Sequence, residues 1–416
     1  MADVQIEYEY SSYDPGDTVR GVARIAAQSE LPPLRQEIVI VIDVSGSMIP
    51  VIGLVKSVCE FALSRFVDRA SCALVAFANE AKVVEPMAFL NSDLLRQYTY
   101  QLHALSAGGQ TNLGAALDVA GGLLSESATK SILVITDGKP TVGPRTIADM
   151  RPRHGCPLYT VAIGSKCDDA LLAQLAHQSG GMFSDAVQLD TVVSATGGLF
   201  GAIFGTVLSD VSLCLNASSL STLPSRQTAF ATTVSVGPMF TSEEVFIPFE
   251  IESSKLRHVT LQLYAAGKLI CTHESSVPFE REVRVVNPWV RTQLLRSEVT
   301  RLLHAEPLDV EAAALLMAKC TQDASDVGAW LTKRLAVAMD SSSECLPLIR
   351  QELARARSTA YDDESDWLVP PCMRAFSQEA RAFTPVGDRD SPMFDDIEGP
   401  GRPPMLQRAE TWANGD

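Results

Sequence analysis

Five strand-like runs of this chain, IVIVID at 38–43, CALVAF at 72–77, KVVEPM at 82–87, SILVITD at 131–137 and PLYTVAIG at 157–164, alternate with segments of helical period. Three of the runs are almost wholly apolar, and a strand without polar alternation has both faces covered, which is the habit of parallel sheets. The segments between them, near 51–66, 93–105, 112–126, 145–151, 168–179 and 190–208, supply the helical crossovers. The pattern predicts an α/β domain over 37–210 with a doubly wound, mostly parallel sheet, whose ligand crevice lies at the carboxyl ends of the strands.

The flanks obey a different period. Residues 1–36 carry short alternating strands, IEYEY and TVRGVARI, and residues 211–287 carry more: VSLCLNA, TAFATTVSV, EVFIPFEI, HVTLQLYA, KLICTHES and REVRVV. Two strands alone bury no core, so residues 1–36 are expected to complete an antiparallel β-sandwich with 211–287. The α/β domain then interrupts the sandwich as an insertion. Residues 288–358 return to helical period and predict a small helical bundle. The last stretch, 359–416, holds twelve acidic residues, five basic residues and seven prolines. Such a composition buries too little apolar surface to offset ordering entropy, and this acidic tail is expected to be disordered, with Trp367 and Trp412 as docking residues.

A formal charge of −16 repels phosphate backbones and argues against nucleic acid as a partner. The nine cysteines include no C-x-x-C pair, which removes zinc-finger and RING-type sites. The start, MADVQIEYEY, is acidic and has no apolar core of a secretory signal, so reduced thiols and a cytoplasmic location are expected. The uncharged stretch TVVSATGGLFGAIFGTVLS at 191–209 has glycines at 197, 201 and 205. Its Gly, Ser and Thr content lowers its hydropathy, so it reads as the last helix of the α/β domain lying on the sheet and not as a membrane span.

At the end of the first apolar strand stand Asp43, Ser45 and Ser47, a carboxylate and two hydroxyls at alternate positions before a helix. Thr111 lies in the loop GGQTN ahead of LGAALDVAGGLL, and Asp137 ends the strand ILVIT. Two carboxylates and three hydroxyls are hard oxygen donors suited to Mg²⁺ or Mn²⁺, whereas zinc prefers nitrogen or sulfur. A capping role for the hydroxyls alone leaves unexplained why both aspartates end strands.

These residues resemble the von Willebrand factor A domain family, whose metal-ion-dependent adhesion site is written D-x-S-x-S, then T, then D. The resemblance extends over about 36–208 and includes FANEAKVV, GGQTNLGAAL, ITDGKPT and ALLAQLAHQSGGMF. It implies that the serines bind metal directly, that the aspartates act directly or through water, and that an acidic side chain of a partner protein takes the open position. It also implies that the last helix shifts with affinity. Where integrin-like relatives carry an acidic pair, this chain has Met48-Ile49-Pro50-Val51, which argues against a neighbouring second metal site. Intracellular A-domain proteins, including plant ubiquitin ligases with an added RING, are similar in plan.

The expectation is therefore a binding module, not an enzyme, with Mg²⁺ or Mn²⁺ at Asp43, Ser45, Ser47, Thr111 and Asp137. The helices and tail are expected to form a second docking surface. Two alternatives stay open: a subunit that recruits substrate to a ubiquitin ligase or AAA+ ATPase assembly, and a metal-dependent hydrolase. The motifs offer no His or Glu as a general base.

Overall fold

The computed structural model describes residues 2–10, 18–27, 36–125, 129–150, 156–164, 167–186, 189–221, 223, 225–228, 231–252, 258–276, 288–304, 308–322, 326–340 and 371–383. The chain divides into two compact units, one of Pro33–Gly205 with Thr359–Arg408, the other of Met1–Pro32 with Thr206–Ser358 and Ala409–Asp416.

Strands β1 (Ala2–Tyr10) and β2 (Thr18–Ala27) open the chain as an antiparallel pair. The chain then builds the α/β unit from β3 (Gln36–Asp43), β4 (Ser71–Phe77), β5 (Ala81–Phe89), β6 (Thr129–Thr136), β7 (Leu158–Ile163) and β8 (Phe183–Ala186). They form one sheet in the order β5-β4-β3-β6-β7-β8, parallel throughout except for the antiparallel edge β5. Ile38 to Ile42 of β3 are fully buried in an unbroken run, which requires cover on both faces of the sheet.

The crossovers are α1 (Ile52–Phe66), α2 (Ser92–Ala104), α3 (Leu113–Gly122) and α4 (Asp169–Ser179), followed by α5 (Leu189–Phe204) after β8. Side-chain caps set three of their starts. Asn91 Oδ1 accepts from the amides of Asp93 and Leu94, Asn112 Oδ1 from Ala115, and Asp168 Oδ1 from Leu171. The helix expected over 190–208 stops at Phe204, because Thr206, Val207 and Leu208 are extended and pair as a strand instead.

That strand, β9 (Thr206–Leu215), begins the second half of the sandwich, with β10 (Ser218–Ser219), β11 (Ser225–Gln227), β12 (Thr232–Phe240), β13 (Glu244–Glu252), β14 (His258–Ala265) and β15 (Lys268–Ser276). One sheet runs β1-β2-β13-β10 and the other β11-β12-β9-β14-β15. β2 lies between β1 and β13, so a strand from the amino end joins its hairpin partner to strands that come after residue 206. Their inward residues meet in one core: Ala23 and Ile25 from β2, Leu213 and Leu215 from β9, Ile247 and Phe249 from β13, Leu261 and Leu263 from β14. Helices α6 (Pro288–His304), α7 (Val310–Gln322) and α8 (Asp326–Asp340) follow. α6 is fastened to this unit by a buried arginine. Arg296 Nη2 donates to the Phe246 carbonyl and Nε to Gln293 Oε1, and burial pulls its pKa down to about 10. The expected strand REVRVV and helix CLPLIRQELARA lie outside the described residues.

One departure from the expected plan concerns the acidic tail. Residues 371–383 form a helix, α9 (Pro371–Phe383), which packs on α5 and α1. The composition of 58 residues averages out a 13-residue amphipathic segment, PCMRAFSQEARAF, that buries Met373, Phe376, Ser377 and Ala380 on one side. Trp367, Trp412 and the rest of 359–416 outside α9 are not among the described residues. Gly197 and Gly201 of α5 face this helix and not the sheet. A Cβ at Gly201 would stand 2.7 Å from the Cys372 carbonyl oxygen, and one at Gly197 would stand 2.8 Å from Ala380 Cβ. Each helical glycine costs roughly 0.5–1 kcal/mol relative to alanine, a cost that the close approach of α9 offsets.

Candidate metal centre

Strand β3 delivers Asp43 to the carboxyl edge of the sheet, and β6 delivers Thr136 and Asp137 beside it. The chain after Asp43 turns through Val44 and Ser45 into a short 3-10 turn, Gly46–Met48. A second loop braces that turn from the side: Gly108 N–H donates to the Val44 carbonyl at 2.7 Å, and Gly46 N–H donates to the Gly109 carbonyl at 3.1 Å. Gln110 N–H in turn donates to Asn79 Oδ1 at 2.6 Å. The loop 138–142 completes the enclosure, because the amides of Thr141 and Val142 donate to the Thr111 carbonyl while Thr111 N–H donates to Thr141 Oγ1 at 3.0 Å.

Within this frame the predicted residues converge. Ser45 Oγ and Ser47 Oγ stand 3.1 Å apart, and the Ser47 hydroxyl donates to Asp137 Oδ1 at 2.7 Å. Asp43 Oδ1 accepts from Ser45 N–H at 2.7 Å, and Oδ2 accepts from the Thr136 hydroxyl at 2.5 Å. Thr111 belongs to the same cluster: a Cβ on Gly138 would lie 3.1 Å from Thr111 Oγ1 and 3.8 Å from Ser47 Oγ. Glycine at 138 keeps that space clear of a side chain.

The electrostatics are asymmetric. Asp43, Ser45 and Thr111 are buried, Asp137 is half-buried and Ser47 is exposed, so the cluster opens outward on the side of Ser47. Desolvation raises the pKa of Asp43, against the lowering effect of its bonds from Thr136 and Ser45. Beside it the Cys167 thiol points at the Thr136 and Gly138 carbonyls, 3.7 and 3.8 Å away. Burial, followed by the charges of Asp169, Asp137 and Asp43, pushes that thiol well above its usual pKa, so it stays neutral.

Among the described residues no group of three or more His, Cys, Asp or Glu is placed to hold a metal ion. The set here has two carboxylates, and its other donors are hydroxyls. That donor chemistry fits a hard, oxygen-seeking divalent cation. Three contributors were not singled out from sequence: Thr136, which orients Asp43; Thr141, which holds Thr111; and Asn79, which braces the loop at Gln110. Thr136 precedes Asp137 in the ITDG run, and that adjacency is its only sequence signal.

The described cysteines, eight in number, are free thiols. No helix among the described residues is long and apolar enough to cross a membrane.

The model of the von Willebrand factor type A domain matches residues 37–195. Inter-alpha-trypsin inhibitor heavy chain H6 of Homo sapiens is 25% identical over 203 residues, which is 44% of this chain and 16% of that protein. The human von Willebrand factor A domain-containing protein 3B is 30% identical over 151 residues, 35% of this chain and 11% of that protein. The matches thus span less than a fifth of each of these relatives. A solved structure, von Willebrand factor type A from Catenulispora acidiphila, superposes with a TM-score of 0.59 at 17% identity, over 84% of this chain and 89% of the other, and so shares the fold. Residues 37–195 therefore carry a von Willebrand factor type A domain.

Proposed function

We propose that this protein is an interaction module that holds Mg²⁺ or Mn²⁺ at Asp43, Ser45, Ser47, Thr111 and Asp137 and engages an acidic side chain of a partner protein there. The observation that carries this reading is the Ser45–Ser47–Asp137 chain of contacts, which gathers oxygen donors from the ends of two parallel strands. When bound, a divalent ion would have its charge balanced by the two protein carboxylates, and a partner carboxylate would compete with water for a coordination position that the neutral hydroxyls leave open.

The residues divide that work. Asp43 fixes the turn by accepting from Ser45 N–H, Thr136 fixes Asp43, and Gly138 keeps the space between Thr111 and Ser47 free. Ser47 and Asp137 lie on the open side, where a partner gains access. We read the module as a binder and not a catalyst, because Thr136, Thr141 and the neutral Cys167 around the cluster offer no general base. The free thiols support a reducing, cytoplasmic setting.

The test is isothermal calorimetry with Mg²⁺ on the full chain, followed by capture of partners from native lysate with Mg²⁺ or with EDTA. Binding of Mg²⁺ by the wild type and its loss in Asp43→Ala are expected, with partners retained only in Mg²⁺. Equal Mg²⁺ binding by both proteins would discard the site.

A further inference from the structure

Helix α9 meets α5 along Gly197 and Gly201 and reaches Gly205 just past its end, three glycines that recur every four residues and are each closed from outside by atoms of α9. A Cβ at Gly201 would meet the Cys372 carbonyl oxygen and Phe376 Cβ, both at 2.7 Å, and one at Gly205 would stand 2.7 Å from Cys372 Sγ. A row of this kind lets two helix backbones approach closely. Phe376 then enters a cluster of rings, with centroids 5.1 Å from Phe61, 6.4 Å from Phe200 and 6.0 Å from Phe204. Polar contacts fix the direction: Glu379 pairs with Arg65 of α1, and Arg381 Nε donates to Ser194 Oγ at 2.6 Å. The face made by α1 and α5 therefore has the shape, the aromatic pocket and the charge to receive one amphipathic helix.

The contact is also of a kind that can open. A 13-residue helix is marginal in water by itself, so α9 is helical because it is docked. Its ion pair is exposed on both sides and contributes little, and Phe383 at its end is half exposed. Docked with helix and undocked without it are two states of one local element.

We propose that the α1–α5 face is a helix-docking groove and that residues 371–383 are its resident, displaceable occupant. The partner that fits is an amphipathic helix with the same pattern: a phenylalanine for the ring cluster, small residues where α5 comes close, and an acidic residue opposite Arg65. This surface uses none of the five residues of the metal centre, so it stands or falls independently of that reading. In the resting chain the covalently attached helix masks the groove, because tethering makes its docking intramolecular.

The probe is a fluorescein-labelled peptide of residues 369–385, titrated by anisotropy against three full-length proteins: wild type, Phe376→Asp, and Phe376→Asp with Gly201→Leu. The first substitution disables the occupant and leaves the groove. The second fills the groove where backbone must pass. Phe376→Asp is expected to bind the peptide at least tenfold more tightly than wild type, and the double variant is expected to lose that gain. Equal affinity for wild type and a folded Phe376→Asp protein overturns the proposal, as does equal binding by the single and double variants. If Phe376→Asp fails to fold in the chain, the same change in the peptide supplies the test. The wild-type chain should bind a peptide carrying Phe376→Asp at least fivefold more weakly than the unmodified peptide, and no difference overturns the groove.

Discussion

The Ser47 hydroxyl donates to Asp137 Oδ1 at 2.7 Å and so ties the end of β3 to the end of β6 across 90 positions of sequence. Two side chains that meet at one locus act as a unit there, and their contributions to a shared ligand do not add. Ser47→Ala and Asp137→Ala are each expected to weaken Mg²⁺ binding at least tenfold. The double variant should lose less than the sum of the two, with a coupling of roughly 0.5–3 kcal/mol. Calorimetry on the four proteins measures this, and strictly additive losses would separate the two residues into independent sites.

Asp43 illustrates a residue kept at a cost to the fold. Its pKa is raised by burial, so folding favours the protonated form. The sign follows: this group's contribution to stability improves as pH falls through the raised pKa and is unfavourable when the carboxylate is ionised at neutral pH. Asp43→Asn keeps an acceptor for Ser45 N–H and removes the charge. In EDTA at pH 7 the variant should melt no lower than the wild type, and the difference should shrink as the pH is lowered. In Mg²⁺ at about 100 times the wild-type Kd, only the wild type should gain, by about 2.7 kcal/mol. A variant that melts lower in EDTA and still responds to Mg²⁺ would contradict both parts.

Thr136 touches the centre through another residue, since its hydroxyl donates to Asp43 Oδ2 and accepts from Gly138 N–H at 3.3 Å. Thr136→Val keeps the size and the β-branching and deletes only the hydroxyl. Outer partners of metal ligands typically change affinity by about 10–100-fold when removed. Mg²⁺ affinity should fall within that range while the sheet stays intact by circular dichroism. Unchanged affinity would show that Ser45 N–H alone suffices to hold Asp43.

The sheet and the side chains gathered at its carboxyl edge were legible because each was marked twice. Asp43 and Asp137 both end an apolar run, with Ser45 two positions after the first and Gly138 directly after the second, so spacing and strand position agree. Thr136 was not legible, because a threonine at the last position of a strand reads as ordinary β-propensity. The glycines of α5 showed their four-residue period but not the neighbour that requires it. That neighbour, α9, begins 166 positions after Gly205, since it starts at Pro371, within a stretch whose average composition is that of a solvated tail. Period and composition are local quantities, whereas the α5–α9 contact is set by tertiary packing alone.

Gly21 of β2 lies directly opposite Phe249 of β13, and a Cβ on Gly21 would stand 2.5 Å from the tip of that ring. The phenylalanine covers the bare backbone of the glycine, and its side chain is fully buried in the sandwich core. Gly21→Val should therefore displace the ring and cost about 1–3 kcal/mol, as overpacking does. Phe249→Ala should leave a cavity worth about 3–5 kcal/mol. In the double variant the valine occupies part of the space the ring vacates, so the losses should fall short of additive by at least ~1 kcal/mol. Urea unfolding of the four proteins gives the cycle. Additive losses would mean that the ring does not rest on Gly21, and no loss in Gly21→Val would mean that β2 does not belong to the sheet of β13.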